Sequence, residues 1–99
     1  MTLSVANTIL SQLGGNKFLA MTGSKNLLGS SDSLSFSVGR GAKNGINKAR
    51  VTLTAADLYT VEFFRFAKYD LTPKGKTEGI YADQLQEVFT RHTGIDTRL

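Results

Sequence analysis

The 99-residue sequence predicts a single α+β domain: an N-terminal helix, an antiparallel meander of about four strands, and a C-terminal helix packed on one sheet face. Three observations support this prediction. Apolar residues recur at helical spacing near both ends, two central segments alternate between apolar and polar residues, and an Asn-Gly pair lies between those segments. Such alternation is typical of half-buried strands, and Asn-Gly favours a tight hairpin turn.

The N-terminal helix is predicted over residues 4–13. Val5, Ile9 and Leu13 recur at four-residue steps and form an apolar stripe along one side of this helix. Two glycines follow directly, and they should end the helix because glycine readily adopts the left-handed conformation found at helix ends.

The segment after this helix predicts little regular structure. An apolar run bounded by glycines indicates a short strand over residues 17–21. Residues 22–32 are rich in Gly, Ser and Asn, which is typical of loops. We expect this loop to contain a turn that buries Leu27 and Leu28.

The central hairpin is the most informative part of the sequence. Residues 33–38 and 51–55 alternate strictly, and Asn44-Gly45 lies between them as a type I′ turn. If that pair is a two-residue loop, every apolar partner falls on one face of the ribbon, as a correct register requires. The predicted pairs are Val38 with Val51, Phe36 with Leu53, and Leu34 with Ala55.

A second hairpin is predicted from residues 56–58, which form its turn, and residues 59–66, which return along the sheet. Tyr59, Val61 and Phe63 should continue the core face, since side chains alternate along a strand. Residues 68–71 predict an edge strand that ends at the proline and glycine of residues 73–75.

The last helix is predicted over residues 80–93, with Thr77 as its N-cap and Gly94 as its end. Its stripe comprises Tyr81, Leu85, Val88, Phe89 and His92. Together with the hairpin register, this stripe predicts a core of Leu34, Phe36, Val38, Val51, Leu53, Val61, Leu85, Val88 and Phe89.

Charge gives the first functional signal. The net charge is +4, and residues 17–50 carry six Lys or Arg side chains against one Asp, whereas residues 51–99 carry six basic and seven acidic residues. Such an uneven distribution favours an anion-binding surface. A basic but unpartnered solvated surface is the alternative.

The central hairpin, residues 33–55, carries the predicted binding site, and we call it the basic ribbon. Lys48 and Arg50 project from its polar face, Arg40 and Lys43 lie near its tip, and Phe64 is placed opposite Arg50. Lys and Arg contact phosphates, and phenylalanines beside cations form stacking platforms for single strands. Phe66 is expected to pack under the first helix or against a partner subunit.

The sequence offers little for catalysis, and we expect no catalytic residue, metal site or cofactor. Cysteine is absent and His92 is the single histidine, which we interpret as a structural residue. Asp83 and Glu87 are interpreted as solvated carboxylates. The Gly-Lys-Thr triplet of residues 75–77 lacks the earlier glycine that a phosphate loop needs. No apolar run approaches the roughly 18 residues of a membrane span, and no signal peptide is expected.

Three segments carry a resemblance to known sequences: residues 8–26 (TILSQLGGNKFLAMTGSKN), 34–59 (LSFSVGRGAKNGINKARVTLTAADLY) and 79–99 (GIYADQLQEVFTRHTGIDTRL). Over nearly the whole chain they resemble a family of short bacteriophage and prophage proteins of about this length. The resemblance implies a phage-encoded protein that acts in the bacterial cytoplasm, and small proteins of this kind often bind nucleic acid or host machinery.

We therefore expect a non-enzymatic binding protein. Its partner would be nucleic acid, bound by the basic hairpin of residues 40–50 and the polar sheet face. One alternative is an effector that binds and inhibits a bacterial host protein, for example in a defence complex. Another is a homo-oligomeric structural protein.

Overall fold

The computed structural model of the chain describes residues 4–39 and 42–95. Its fold is α+β, as predicted. Two helices, α1 (Ser4–Leu13) and α2 (Gly15–Thr22), precede the sheet, and a 3₁₀ turn (Ala82–Gln84) leads into the final helix α3 (Leu85–Thr93).

The sheet consists of five strands rather than about four. They are β1 (Lys25–Gly29), β2 (Ser33–Ser37), β3 (Lys48–Leu53), β4 (Tyr59–Ala67) and β5 (Asp70–Ile80). Each strand pairs antiparallel with the next one along the chain, so that the spatial order is the sequence order. This is the predicted meander with one additional strand at its beginning.

The N-terminal helix has its predicted bounds, but the strand predicted over residues 17–21 is wrong. This segment is α2, which buries Phe18 and Thr22, one helical turn apart. Gly14 and Gly15 both have positive φ, at 128° and 60°, so the chain turns there and immediately begins a new helix. A short apolar run fits a helix and a strand equally well, and here the fully buried Phe18 belongs to a helical face.

The predicted loop of residues 22–32 is also wrong, because it contains β1. Leu27 and Leu28 are 41% and 68% exposed rather than buried, since β1 is an edge strand. Its pairing is interrupted by a bulge at Asn26, whose φ is 58°. Such a bulge conceals the strand pattern in the sequence.

The hairpin register differs from the predicted one by four residues. Leu34 pairs with Val51 and Phe36 pairs with Ala49. The error lies in the loop length, because the connection spans residues 38–47 rather than two residues. An even shift leaves every side chain on its predicted face.

The turn chemistry inside that connection was predicted correctly. Asn44 and Gly45 both have positive φ, at 60° and 71°, and the Ile46 amide donates to the Lys43 carbonyl at 3.1 Å. The strands simply do not begin beside this turn, because Ile46 is buried in the core and the chain continues to Lys48 before β3 starts.

The predicted edge strand extends further than expected. β5 has eleven residues and runs through Pro73 and Gly75, which were expected to end it. Proline is tolerated here because β5 is an edge strand and its pairing with β4 shifts between Phe63 and Phe64.

The last helix begins later than predicted. Ile80 completes β5, Thr77 lies within that strand rather than capping a helix, and Tyr81 is 63% exposed. The helical turn starts where the Tyr81 amide donates to Oε1 of Gln84 at 3.0 Å. Gly94 ends the helix as predicted, with φ of 74°.

The helices and one face of the sheet enclose a core of aromatic rings. Phe18 makes edge contacts with Phe36 and Phe89 at centroid distances of 5.5 and 5.0 Å, and Phe63 lies 6.1 Å from Phe89. Of the residues predicted for the core, all are buried except Leu53, which packs against it while partly exposed.

Candidate nucleic-acid interface

The second face of the sheet turns away from the helices. Because Phe36, Val51 and Phe63 point into the core, their neighbours along each strand point outward. We call this surface the outer face. It comprises Lys25, Leu28, Ser35, Ser37, Lys48, Arg50, Glu62, Phe64, Phe66, Leu71, Pro73 and Lys76, which the strand register places in cross-strand rows.

Arg50 occupies the middle of the outer face, where it is held by two neighbours. Its Nη2 and Nε donate to Oε1 of Glu62 at 3.1 and 3.3 Å. Its guanidinium also lies 5.4 Å from the centre of the Phe64 ring, within the range of a cation–π contact. Glu62 therefore offsets part of the positive charge of Arg50.

The register places Phe64 opposite Lys48, and Glu62 opposite Arg50. Phe64 was predicted to lie opposite Arg50, so it is a diagonal neighbour instead. Phe64 is only 7% exposed, because it lies between its cross-strand partners Lys48 and Pro73 and the Arg50 guanidinium lies over its ring. A nucleobase would have to displace Arg50 before it could reach this ring.

Phe66 presents the open aromatic ring of the outer face. It is 51% exposed and lines a groove of about 440 Å³ together with Lys48, Ser37, Asn26 and Asn47. The expectation that Phe66 packs under the first helix is wrong, because α1 packs on the opposite face of the sheet.

The backbone of Phe66 is fixed by the Asn47 side chain. Asn47 donates from Nδ2 to the Phe66 carbonyl at 2.9 Å, and its Oδ1 accepts from the Phe66 amide at 2.7 Å. This pair of hydrogen bonds replaces the strand pairing that β3 no longer supplies at this point. The backbone that carries the Phe66 ring is thus held in place before any ligand arrives.

The predicted cations are not all brought together. Lys48 and Arg50 lie on the outer face, but Lys43 extends on the helix side, where a Cβ added to Gly94 would lie 2.8 Å from Cε of Lys43. Arg40 lies outside the described residues.

Lys25 joins the outer face instead. It pairs with Ser37, which in turn pairs with Lys48, so both lysines border the same serine across two strands. Sequence reasoning missed this arrangement because the segment around Lys25 was interpreted as a loop. The strand reads Lys-Asn-Leu-Leu-Gly and shows no alternation, so the sequence carries no signal that would place Lys25 on this face.

No protein family, curated protein sequence or solved structure matches the chain. Within residues 4–39 and 42–95, no cluster of three or more His, Asp or Glu side chains is placed to hold a metal ion. None of the helices in those two ranges has the length and apolarity needed to cross a membrane.

His92 lies on the opposite side of the sheet from the outer face. Its ring stacks on Phe63 with a centroid distance of 4.7 Å, and its Nε2 is 2.9 Å from Oγ1 of Thr77. Burial lowers the pKa of His92, and the nearby charges of Arg91 and Lys43 lower it further. These contacts are those of a structural histidine that connects α3 to β4 and β5.

His92 should make stability depend on pH. Because the folded protein disfavours the charged imidazole, the unfolded chain takes up a proton first as the pH falls through about 6.5. The free energy of unfolding should therefore be highest above that pH and decrease below it, until the lower pKa of the folded state is passed.

Urea unfolding of the wild type and of His92→Gln at pH 7.5 and 5.5 tests this expectation. The variant cannot take up the proton, so it should lose less stability between the two pH values. Parallel losses in both proteins would contradict the assignment.

Proposed function

We propose that this protein binds nucleic acid through the outer face and does not act as an enzyme. One observation supports this most directly: a sheet face that none of the described helices covers carries a half-exposed phenylalanine beside one lysine, with a second lysine two strands away. Lys25 and Lys48 lie on either side of Ser37 on the outer face. Phe66 lines a groove together with Lys48. Proteins that bind nucleic acids combine such cations for phosphates with aromatic rings for bases.

The charge of the outer face agrees with a polyanionic ligand. Lys25, Lys48, Arg50 and Lys76 are cationic, while Glu62 pairs with Arg50 and Glu78 pairs with Lys76, each at 3.1 Å, so the net charge of these six residues is +2. Phosphate contacts from such a surface are independent of sequence and weaken as salt concentration rises. The resemblance to phage proteins supports, as part of the same proposal, a phage-encoded protein that works in the cytoplasm of a bacterial host.

Exchanging the two lysines for serine is the test of this proposal. Lys25→Ser with Lys48→Ser should weaken binding to all sequences alike and reduce the slope of log affinity against log salt by about one unit per lost phosphate contact. The wild type should bind with a dissociation constant of about micromolar at 50 mM salt. Fluorescence anisotropy with labelled single-stranded and duplex DNA and RNA, at several salt concentrations, gives these quantities.

A control of equal charge is available on the helix side. Lys17 is exposed on α2, and Lys43 lies against α3, so Lys17→Ser with Lys43→Ser removes the same charge from the other side of the molecule. This control should retain the wild-type salt slope. If the control variant has a reduced salt slope and the Lys25 and Lys48 variant has the wild-type slope, the outer face is not the binding site. No binding to any nucleic acid at 50 mM salt would remove the proposal altogether.

A protein partner is the second candidate, and a different observation favours it. Leu27 and Leu28 are exposed on the edge strand β1, where apolar side chains and unpaired backbone groups attract another chain. The partner would be a bacterial host protein or a second copy of this chain. Affinity purification from host lysate with and without nuclease separates the candidates, since a protein partner stays bound after nuclease treatment.

A further inference from the structure

The β4–β5 hairpin extends past the rest of the sheet at one end. Register pairs between β3 and β4 end at Phe64, whereas pairs between β4 and β5 continue to Ala67 and Asp70. The extension presents apolar side chains to solvent: Phe66 is 51% exposed, and its cross-strand partner Leu71 is 47% exposed. This end of the hairpin borders the groove beside Lys48.

The turn of this hairpin is strained. Lys68 and Tyr69 have φ of 51° and 67°, a combination that two-residue hairpin turns normally assign to Asn-Gly. A bulky residue with positive φ is uncommon and destabilising. Tyr69 gains nothing from burial in return, because it is 96% exposed. The two-residue hairpin requires positive φ at both positions, but it does not explain why they are Lys and Tyr instead of Asn and Gly, and such costly choices are characteristic of functional positions.

The aromatic residues near this turn are accompanied by cations. Lys68 precedes Tyr69 directly and Asp70 follows it, and Lys48 lines the groove with Phe66. Both rings are open, unlike that of Phe64. Stacking of bases on such rings requires bases whose faces are free, and a duplex keeps its base faces stacked internally.

We propose, resting on the proposed function, that the ligand is a single strand whose bases stack on Phe66 and Tyr69. The strand follows the outer face from the groove to the hairpin turn, with its phosphates near Lys48 and Lys68. The backbone of Phe66 is fixed in advance by Asn47, and Tyr69 is kept at the turn despite the strain.

Three labelled probes of equal length, measured with the full chain at 50 mM salt, test this inference. They are an oligothymidylate of about twelve nucleotides, an abasic strand with the same phosphates, and a duplex. The wild type should bind the oligothymidylate at least about tenfold more tightly than the abasic strand, since the two differ only in the bases.

Alanine variants test whether each of the two rings stacks on a base. Phe66→Ala and Tyr69→Ala should each weaken oligothymidylate binding by about fivefold or more and leave abasic binding unchanged. Phe66→Tyr and Tyr69→Phe should retain the wild-type affinity because they keep an aromatic face. Tyr81→Ala is the matched control: Tyr81 is 63% exposed at the other end of β5, and its loss should change no affinity.

Comparing thermal stability with affinity separates a stacking role of Tyr69 from a structural role. Tyr69→Gly relieves the strained φ, so it should leave the Tm unchanged or raise it while it lowers the affinity for oligothymidylate. A lowered Tm with unchanged affinity would show that Tyr69 serves the fold and would overturn its stacking role.

The outcomes separate the two proposals. Equal, salt-dependent binding of all three probes, unaffected by the alanine variants, would overturn the single-strand inference and leave nucleic-acid binding intact. Absence of binding to every probe would overturn both.

Discussion

Replacing Phe36 with alanine is expected to lower the free energy of unfolding by about 3–5 kcal/mol, the range found for buried phenylalanines. Phe36 is 1% exposed, and the centre of its ring lies 5.5 Å from that of Phe18 and 6.2 Å from that of Phe89. Removing it would leave a cavity between the sheet and two helices that rigid neighbours fill only in part. The loss is a large part of the roughly 5–15 kcal/mol by which a typical domain is stable.

The chain supplies its own control for this experiment. Phe66 is the same residue type on the other face of the sheet and is half exposed, so Phe66→Ala should cost less than about 1 kcal/mol. Urea unfolding followed by circular dichroism measures both. Equal costs for the two variants, or a cost below about 1 kcal/mol for Phe36→Ala, would contradict the division of the sheet into a core face and an outer face.

That division could be predicted from the sequence although the pairing could not. The β2–β3 register differs by four residues because the length of the connecting loop leaves no signal in an alternating pattern. The faces survive this error, since any even shift keeps Phe36 and Val51 on the same side. Patterns of period two therefore specify which side chains are buried more reliably than they specify which residues pair.

The two segments whose structure was predicted wrongly share a different cause of error. Residues 17–21 and 22–32 are short and end at glycines or bulges, so neither contains enough turns or alternations to define a period. Their structure is determined by tertiary contacts, such as the burial of Phe18 against Phe36 and Phe89. Such contacts involve residues far apart in the chain, and local patterns do not show them.

The candidate site could be predicted only where its residues belong to an alternating strand. Lys48 and Arg50 belong to an alternating strand, and both lie on the predicted face. Lys43 belongs to an irregular loop, and only the three-dimensional path of that loop places it against α3. The covering of Phe64 by Arg50 and the fixing of Phe66 by Asn47 depend on register and on side-chain hydrogen bonds, which composition does not show.

Gly75→Ala is expected to destabilise the protein by about 1–3 kcal/mol, the usual cost of forcing an extra methyl group into a close contact. A Cβ at this position would lie 2.9 Å from Nδ1 of His92 and 3.1 Å from its Cε1. The imidazole cannot easily move away, because it stacks on Phe63 and is hydrogen-bonded to Thr77. The substitution would break one of these contacts or displace β5.

A double-mutant cycle identifies the ring as the cause. In the His92→Ala background the obstructing ring is absent, so Gly75→Ala should cost nothing or even stabilise the strand, since alanine loses less backbone entropy than glycine on folding. The cycle should give an interaction energy of at least about 1 kcal/mol between the two positions. If Gly75→Ala costs the same with and without the imidazole, the β5 backbone itself requires glycine, and the packing of His92 against this strand is not what limits position 75.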